Sequence, residues 1–201
     1  SLTDKSARNQ DSKMGWLIII GSLPIVIIGY LAQDFIETDL RSLWIIATMM
    51  VVFGLILGAT DRFASKTKEL SQLTVKHGVL YGLAQSLALI PGVSRSGATI
   101  AMGRFLGYSR EAALRYSFLL ALPAVFGSGF YQLKNAITDD QVAVYSLSET
   151  LVATAIAFVV GYLVIAWLLK FVTTKSFAPF IIYRVLLGSA LLVLLAFGVL
   201  Q

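Results

Sequence analysis

The chain has 201 residues, of which 57% are hydrophobic and only 13% are charged, and it contains no cysteine. Charged residues make up about a quarter of a typical soluble domain, so this composition excludes a soluble domain. It predicts a single integral membrane domain of helices. The lack of cysteine excludes disulfides and cysteine metal sites. The net charge of +5 is better explained by the basic loops of a membrane protein than by nucleic-acid binding.

Five segments are long and apolar enough to cross a bilayer as helices. The predicted spans cover about residues 16–33, 43–60, 112–133, 147–170 and 178–200. In the second span, Gly54 and Gly58 form a pair of small residues suited to close contact with another helix. The segment 61–77 is predicted to be a basic loop with Arg62, Lys66, Lys68 and Lys76, and it includes the single histidine, His77.

The loops alternate in charge along the chain. Lysine and arginine are frequent at 1–15, 61–77 and 170–178, whereas 34–42 and 134–147 carry one basic residue each. The positive-inside rule places the basic loops in the cytoplasm and the C-terminus outside it. This arrangement requires the segment 78–107 to enter and leave the membrane from the cytoplasmic side.

The segment 78–107 is expected to form a re-entrant helix–turn–helix. Residues 78–90 would form a helix of roughly 18 Å, about half the hydrocarbon thickness, before Pro91 ends it. A second short helix is predicted over 98–106, ending at Gly107. Non-helical backbone at this depth must be buried in protein or line a wet cavity.

An arginine lies in the turn of this hairpin without an acidic neighbour. The sequence has no Asp or Glu between Glu69 and Glu111, and an arginine near the bilayer centre costs ~2.5–3.5 kcal/mol. Arg95 therefore needs a distant partner or an anionic ligand. The alternative is a kinked transmembrane helix whose arginine meets backbone carbonyls or a remote acid.

The rest of the turn has the chemistry of a phosphate site. Gly92 and Gly97 permit backbone conformations that other residues resist, and the following helix presents free N–H groups and a positive dipole end. Arginine adds a planar fork that matches phosphate oxygens. Hydroxyl donors come from Ser94, Ser96 and Thr99. The turn is therefore predicted to bind phosphate at membrane depth.

Three segments carry a resemblance to a known family: GLAQSLALIPGVSRSGATIA at 82–101, FLGYSREAALRYSFLLALP at 105–123 and FAPFIIYR at 177–184. They resemble the bacterial undecaprenyl-diphosphate phosphatases of the BacA/UppP type. The resemblance implies an all-α, multi-pass protein of the bacterial plasma membrane. The implied reaction hydrolyses undecaprenyl diphosphate to the monophosphate, which recycles the lipid carrier for peptidoglycan synthesis and confers bacitracin resistance.

The resemblance also implies roles for individual residues. Ser94, Arg95 and Thr99 match the family's catalytic serine, arginine and threonine. The substrate would be bound by the residues of the motif and by two further arginines, namely Gln85, Gly92, Ser96, Gly97, Arg110 and Arg184. Arg104 and Arg115 match no family position, and both are expected to anchor helix ends at the cytoplasmic surface.

One feature of the family is missing from this sequence. The family has an earlier repeat, inverted in the membrane, with an acidic E/QxxxE motif and a PxSSxGH element, and residues 1–77 contain neither. We therefore expect an N-terminally truncated chain holding half of an inverted-repeat site, without core carboxylates for acid–base work and inactive alone. The resemblance implies Mg²⁺ or Ca²⁺, held by carboxylates of the earlier repeat.

Several alternatives remain open at the level of sequence. The nucleophile is either serine or water. A transporter or flippase for an anionic lipid would use the same re-entrant phosphate site, and a purely structural membrane subunit is the third reading. A homodimer is compatible with the sequence, which does not determine the oligomeric state.

Overall fold

A computed structural model describes residues 5–38, 40–64, 67–138 and 147–200. Within these ranges the chain is helical and contains no β-strand, which confirms the prediction of an all-α membrane bundle. Short 3₁₀ turns lie at Leu70–Gln72 and Leu87–Leu89. The α-helices are α1 Lys5–Leu31, α2 Gln33–Thr38, α3 Leu43–Phe63, α4 Val75–Ser86, α5 Arg95–Phe105, α6 Arg110–Thr138, α7 Leu147–Thr174 and α8 Ala178–Ala196.

Five helical segments within the described ranges have the length and composition of membrane spans. They are Asp11–Leu31, Leu43–Phe63, Arg110–Tyr131, Ser148–Thr174 and Ala178–Ala196. Each overlaps one of the spans proposed from the sequence. Several charged residues of the predicted loops lie outside the described part of the chain, namely Asp4, Asp39, Lys66, Asp139 and Asp140.

The predicted basic loop 61–77 is partly wrong. Helix α3 continues past Thr60 to Phe63, so Asp61 and Arg62 belong to its last turn, and Asp61 is only 4% exposed. His77 is likewise not in a loop, because α4 begins at Val75 with Thr74 as its N-cap. Two adjacent charged residues, Asp61 and Arg62, are typical of a solvated loop, and for this reason the sequence predicted one. Because no helix-breaking residue follows Thr60, α3 continues.

Helix α3 packs along α8 through glycines, as the sequence predicted for Gly54 and Gly58. A Cβ at Gly54 would lie 3.1 Å from Val185 of α8, and one at Gly58 would lie 3.4 Å from Ile181. A Cβ at Gly188 of α8 would lie 2.8 Å from Val51 of α3. This close approach fixes α8, and with it Arg184, against α3.

The α4–α5 hairpin closes at its base. The backbone N–H of Lys68 donates to Gly107 O at 3.0 Å, and that of Ser109 donates to Lys68 O at 2.9 Å. The Lys68 ammonium also donates to Leu106 O at 2.7 Å. The chain between these residues therefore leaves one end of the bundle and returns to the same end.

The buried core surrounds this hairpin where α1, α4, α5 and α6 meet. Tyr81, Leu114 and Tyr116 are completely buried, and Leu17 and Leu120 pack with them in one cluster. The Tyr116 hydroxyl donates to Leu17 O at 2.7 Å, which ties α6 to α1. Helices α1, α3 and α6 all contact the hairpin, and α3 in turn contacts α8, so the turn is held at a fixed position relative to α3 and α8.

Candidate active site

The turn between α4 and α5 is pressed against α3 at a glycine. Gly92 has φ +90, a backbone conformation that side chains with a Cβ rarely adopt. A Cβ at this position would also overlap the carbonyl group of Ile46 in α3. Both constraints require glycine, so Gly92 sets the distance between the turn and α3.

Ser94 caps the N-terminus of α5. Its Oγ accepts a hydrogen bond from Gly97 N at 3.1 Å and lies 3.4 Å from Ser96 Oγ. Because the cap uses the oxygen as an acceptor, the hydroxyl proton remains available to donate. The first N–H groups of α5 have no intrahelical acceptor, so they add donors and a positive dipole end at this point.

Arg184 reaches this turn from α8. Its Nη2 donates to the carbonyl oxygen of Gly92 at 2.6 Å. Arg184 also lines a cavity of about 240 Å³ together with Ser94, Ser96 and Gly97. The rest of the cavity wall is apolar or aromatic and comes from Leu57, Ile100, Leu114, Phe118, Leu168, Phe177, Phe180 and Tyr183. The cavity therefore has one end rich in hydrogen-bond donors and walls suited to hydrocarbon.

Arg95 lies beside this cavity without lining it. Its side chain is half-buried and forms neither an ion pair nor a hydrogen bond within the described part of the chain. Neither α3 nor α8 places a carboxylate next to it. The sequence predicted that Arg95 needs a partner, and the described residues do not supply one.

Thr99 and Gln85 are both fully buried away from the cavity. The Thr99 hydroxyl lies 2.9 Å from Arg95 O and 2.5 Å from Ser117 Oγ of α6, so it links the start of α5 to α6. Neither polar atom of the Gln85 amide has a partner among the described residues. A buried amide without a partner costs about 1–3 kcal/mol, and nothing in the sequence pattern indicated this.

Arg110 lies at a different place from the turn. Its Nε donates to Oδ1 of Asp61 at 2.7 Å and its Nη2 to Oδ2 at 2.9 Å. It lines a separate cavity and not the one at Ser94. The role of Arg110 as a clamp for the diphosphate stays a prediction, and this geometry does not bring it to the other site residues.

The hydrogen bonds of Asp61 correct two expectations. One was that Arg104 anchors a helix end at the cytoplasmic surface, and the other was that the core has no carboxylate. Arg104 is fully buried and not a surface anchor, because its Nε donates to Asp61 Oδ1 at 3.2 Å and its Nη1 to Tyr108 O at 2.6 Å. Asp61 is thus a buried carboxylate that sequence reasoning missed. Arg115 does lie at the surface, paired with Glu111 one turn back.

His77 lies outside the cavity, near the base of the hairpin. Its Nδ1 is 2.6 Å from the hydroxyl of Tyr108. Burial lowers the pKa of His77, and the positive charges of Lys68 and Lys76 lower it further. Burial also raises the pKa of Tyr108 to about 12. The imidazole is therefore held neutral as a structural partner of Tyr108.

The described residues do not fit a bound Mg²⁺ or Ca²⁺. These cations need several oxygen ligands, of which carboxylates are the strongest. No group of three histidine, aspartate or glutamate side chains comes together in the described ranges. The buried Asp61 already accepts hydrogen bonds from two guanidinium groups. No step of the chemistry is therefore assigned to a metal on these residues.

A family model described as "Bacitracin resistance protein BacA" matches residues 1–190. The chain belongs to this family. An undecaprenyl-diphosphatase of Paenarthrobacter aurescens (strain TC1) is 59% identical over 203 residues, covering 100% of this chain and 73% of the relative. One from Micrococcus luteus is 59% identical, covering 95% of this chain and 69% of the relative. Undecaprenyl-diphosphatase 2 of Streptomyces coelicolor is 53% identical, covering 100% of this chain and 72% of the relative.

Proposed function

We propose that this chain is an undecaprenyl-diphosphatase, which hydrolyses undecaprenyl diphosphate to undecaprenyl phosphate and phosphate. The observation that carries the proposal is the cavity at Ser94. It joins hydrogen-bond donors at one end to an apolar wall, and its substrate therefore has a phosphate head and a hydrocarbon tail. The BacA family and the names of its close relatives support hydrolysis and give the flippase alternative no support.

The donors around the turn bind the diphosphate in this proposal. Arg184 gives one N–H to Gly92 O, and the other N–H groups of its guanidinium face an anion. The free backbone N–H groups at the start of α5 supply more donors, and the helix dipole favours negative charge there. Arg95 starts the same helix without a partner, so its guanidinium is available to the diphosphate.

Water is the nucleophile that this geometry favours. Among the described residues, neither a carboxylate nor a histidine lines the cavity to act as a base for either nucleophile, but the Ser94 oxygen already accepts a hydrogen bond from Gly97 N, which makes it a weaker nucleophile. Water attacks the terminal phosphorus, the bond from that phosphorus to the bridging oxygen breaks, and undecaprenyl phosphate leaves. The water proton ends on the products. Ser94 donates to a phosphoryl oxygen, and Arg184 stabilises the charge of the transition state.

The apolar wall positions the lipid. Phe118, Phe180 and Tyr183 lie in the same cavity as Ser94, so the isoprene units nearest the diphosphate pack against them. Fixing the tail in this way orients the scissile bond, which is the main contribution a phosphoryl-transfer site can make besides charge stabilisation.

The protein is a multi-pass membrane protein, and we propose the plasma membrane of a bacterium as its location. The distribution of lysine and arginine among the loops supports a C-terminus outside the cytoplasm. Recycling the lipid carrier in this membrane serves peptidoglycan synthesis. It also confers bacitracin resistance, which agrees with the description of the family.

A comparison of two diphosphates tests the function. We expect phosphate release from undecaprenyl diphosphate and at least 10²-fold less, in kcat/KM, from inorganic diphosphate, because only the lipid uses the apolar wall. The measurement is phosphate release in detergent micelles by the chain with the family's earlier repeat supplied as a separate peptide, because the chain alone is expected to be inactive. Equal kcat/KM for the two compounds would contradict the assignment of the wall to the substrate tail.

A further inference from the structure

A second cavity lies at the ends of three membrane helices, and no step of hydrolysis uses it. Its volume is about 310 Å³, and its polar lining consists of Asp61, Arg62, Arg110 and Ser176. None of these residues lines the cavity at Ser94. It is therefore a separate site, with its own chemistry.

The charge of this second cavity is positive. Asp61 accepts hydrogen bonds from both Arg104 and Arg110, so the three side chains together keep one positive charge. Arg62 adds another. It is exposed, lies 6.0 Å over the Phe63 ring, and has no carboxylate partner in the described part of the chain. The cavity thus carries about two uncompensated positive charges.

The polar groups that remain free are donors. Arg110 has five N–H groups and gives two of them to Asp61, which leaves three. Its side chain is 24% exposed. The Ser176 oxygen accepts from Ala178 N at 3.3 Å, so its proton is free to donate. Guanidinium forks and a hydroxyl together suit an anion with several oxygens, of which phosphate is the best match.

The depth of the cavity indicates where that phosphate comes from. Its walls are the last turn of α3, the first residue of α6 and the first turn of α8, all of them ends of candidate membrane spans. Gly58, Ala178 and Ile181 supply an apolar side, and Ile181 packs against the hydrophobic core. A phosphate at the end of three spans lies at the level of the lipid headgroups.

We propose that this cavity binds the phosphate headgroup of an anionic phospholipid, which is not the substrate. Basic pockets between transmembrane helices at the cytoplasmic face bind such headgroups. The lipid phosphate bonds to Arg62, Arg110 and Ser176, and its glycerol end lies toward Ile181. The bound lipid holds the ends of α3, α6 and α8 together. The proposal does not depend on the diphosphatase reaction.

Lipid binding is measured directly by native mass spectrometry and by the Tm of the purified protein. The probes are phosphatidylglycerol, phosphatidylcholine and inorganic phosphate. The variant is Arg62→Gln, because Arg62 is exposed and its loss leaves the ion pairs of Asp61 with Arg104 and Arg110 intact. The control is Arg115→Gln, which removes the same charge from an exposed position outside the cavity.

We expect phosphatidylglycerol to raise the Tm of the parent and of Arg115→Gln. The Arg62→Gln variant should bind it about tenfold more weakly, the loss typical of one charge-assisted hydrogen bond. Equal weakening by both substitutions would mean general surface attraction and would overturn the proposal. So would unchanged binding by Arg62→Gln. Stabilisation by inorganic phosphate as strong as that by phosphatidylglycerol would overturn the lipid as the ligand.

Discussion

The hydroxyls of Ser94 and Thr99, which both belong to the start of α5, have different surroundings. Ser94 faces the cavity, whereas Thr99, five residues further along, faces α6. Five residues rotate an α-helix by about 140° beyond one full turn, so both side chains cannot reach one ligand in the same way. The Thr99 hydroxyl bonds toward Arg95 O and Ser117 Oγ. We infer that Thr99 is a positioning residue, which orients the start of α5.

Substitutions at Thr99 and Ser117 test this role. Thr99→Val keeps the shape but removes the hydroxyl, and we expect kcat to fall about 10- to 100-fold, the cost of a small displacement of catalytic groups. Thr99→Ser should restore the rate. Ser117→Ala should cause a similar loss, and the double variant should lose little more, because one hydrogen bond is removed in both. Additive losses, measured by phosphate release, would instead favour direct contact of Thr99 with substrate.

The hairpin could be predicted from its sequence, whereas the contacts of Asp61 with the helices that follow the turn could not. Pro91 and the short apolar segments on either side of it indicated two half-length helices, and the Lys68–Tyr108 bridge brings the two ends of the segment side by side. Asp61 bonds to residues 43 and 49 positions away, on α5 and α6. No local pattern carries a contact of that separation. The cluster joins the end of α3 to both helices that follow the turn.

Removing the charge of Asp61 should destabilise the hairpin. Asp61→Asn leaves the fully buried Arg104 without its anion, and breaking a buried ion pair costs about 3–5 kcal/mol. We expect a clearly lower Tm in detergent. The added substitution Arg104→Met should recover much of the loss, because it replaces the unpaired charge with an apolar side chain of similar length. A Tm for Asp61→Asn equal to that of the parent would show that the ion pair contributes no stability.

The arrangement of the whole molecule follows from composition and loop charge more than from any single residue. Apolar length predicted the five long helices, and the glycines of α3 predicted a close contact with another helix, which the structure shows to be α8. What could not be predicted is which polar side chains meet. Arg184 and Gly92 are far apart in the chain yet bonded, and Arg110 pairs with Asp61 and not with the turn. Such pairs depend on how the helices pack.

Cysteine labelling tests the membrane arrangement. The chain has no cysteine, so single substitutions Thr67→Cys, Glu111→Cys, Lys175→Cys and Arg41→Cys report one position each. The first three should react with an impermeant thiol reagent only from the cytoplasmic side, and Arg41→Cys only from outside. Labelling of positions 67 and 111 from opposite sides would mean that the segment between them crosses the membrane.

The central claim is that the cavity at Ser94 and Arg184 is where the diphosphate reacts. Phosphate release from undecaprenyl diphosphate by Arg184→Lys, assayed with the family's earlier repeat supplied as a separate peptide, tests it most directly, with Arg115→Lys as a control that makes the same change outside the cavity. Lysine keeps the charge but loses the planar fork, so we expect kcat to fall roughly 10²-fold or more in Arg184→Lys, while Arg115→Lys keeps the parent rate. A rate for Arg184→Lys equal to that of Arg115→Lys would contradict the account.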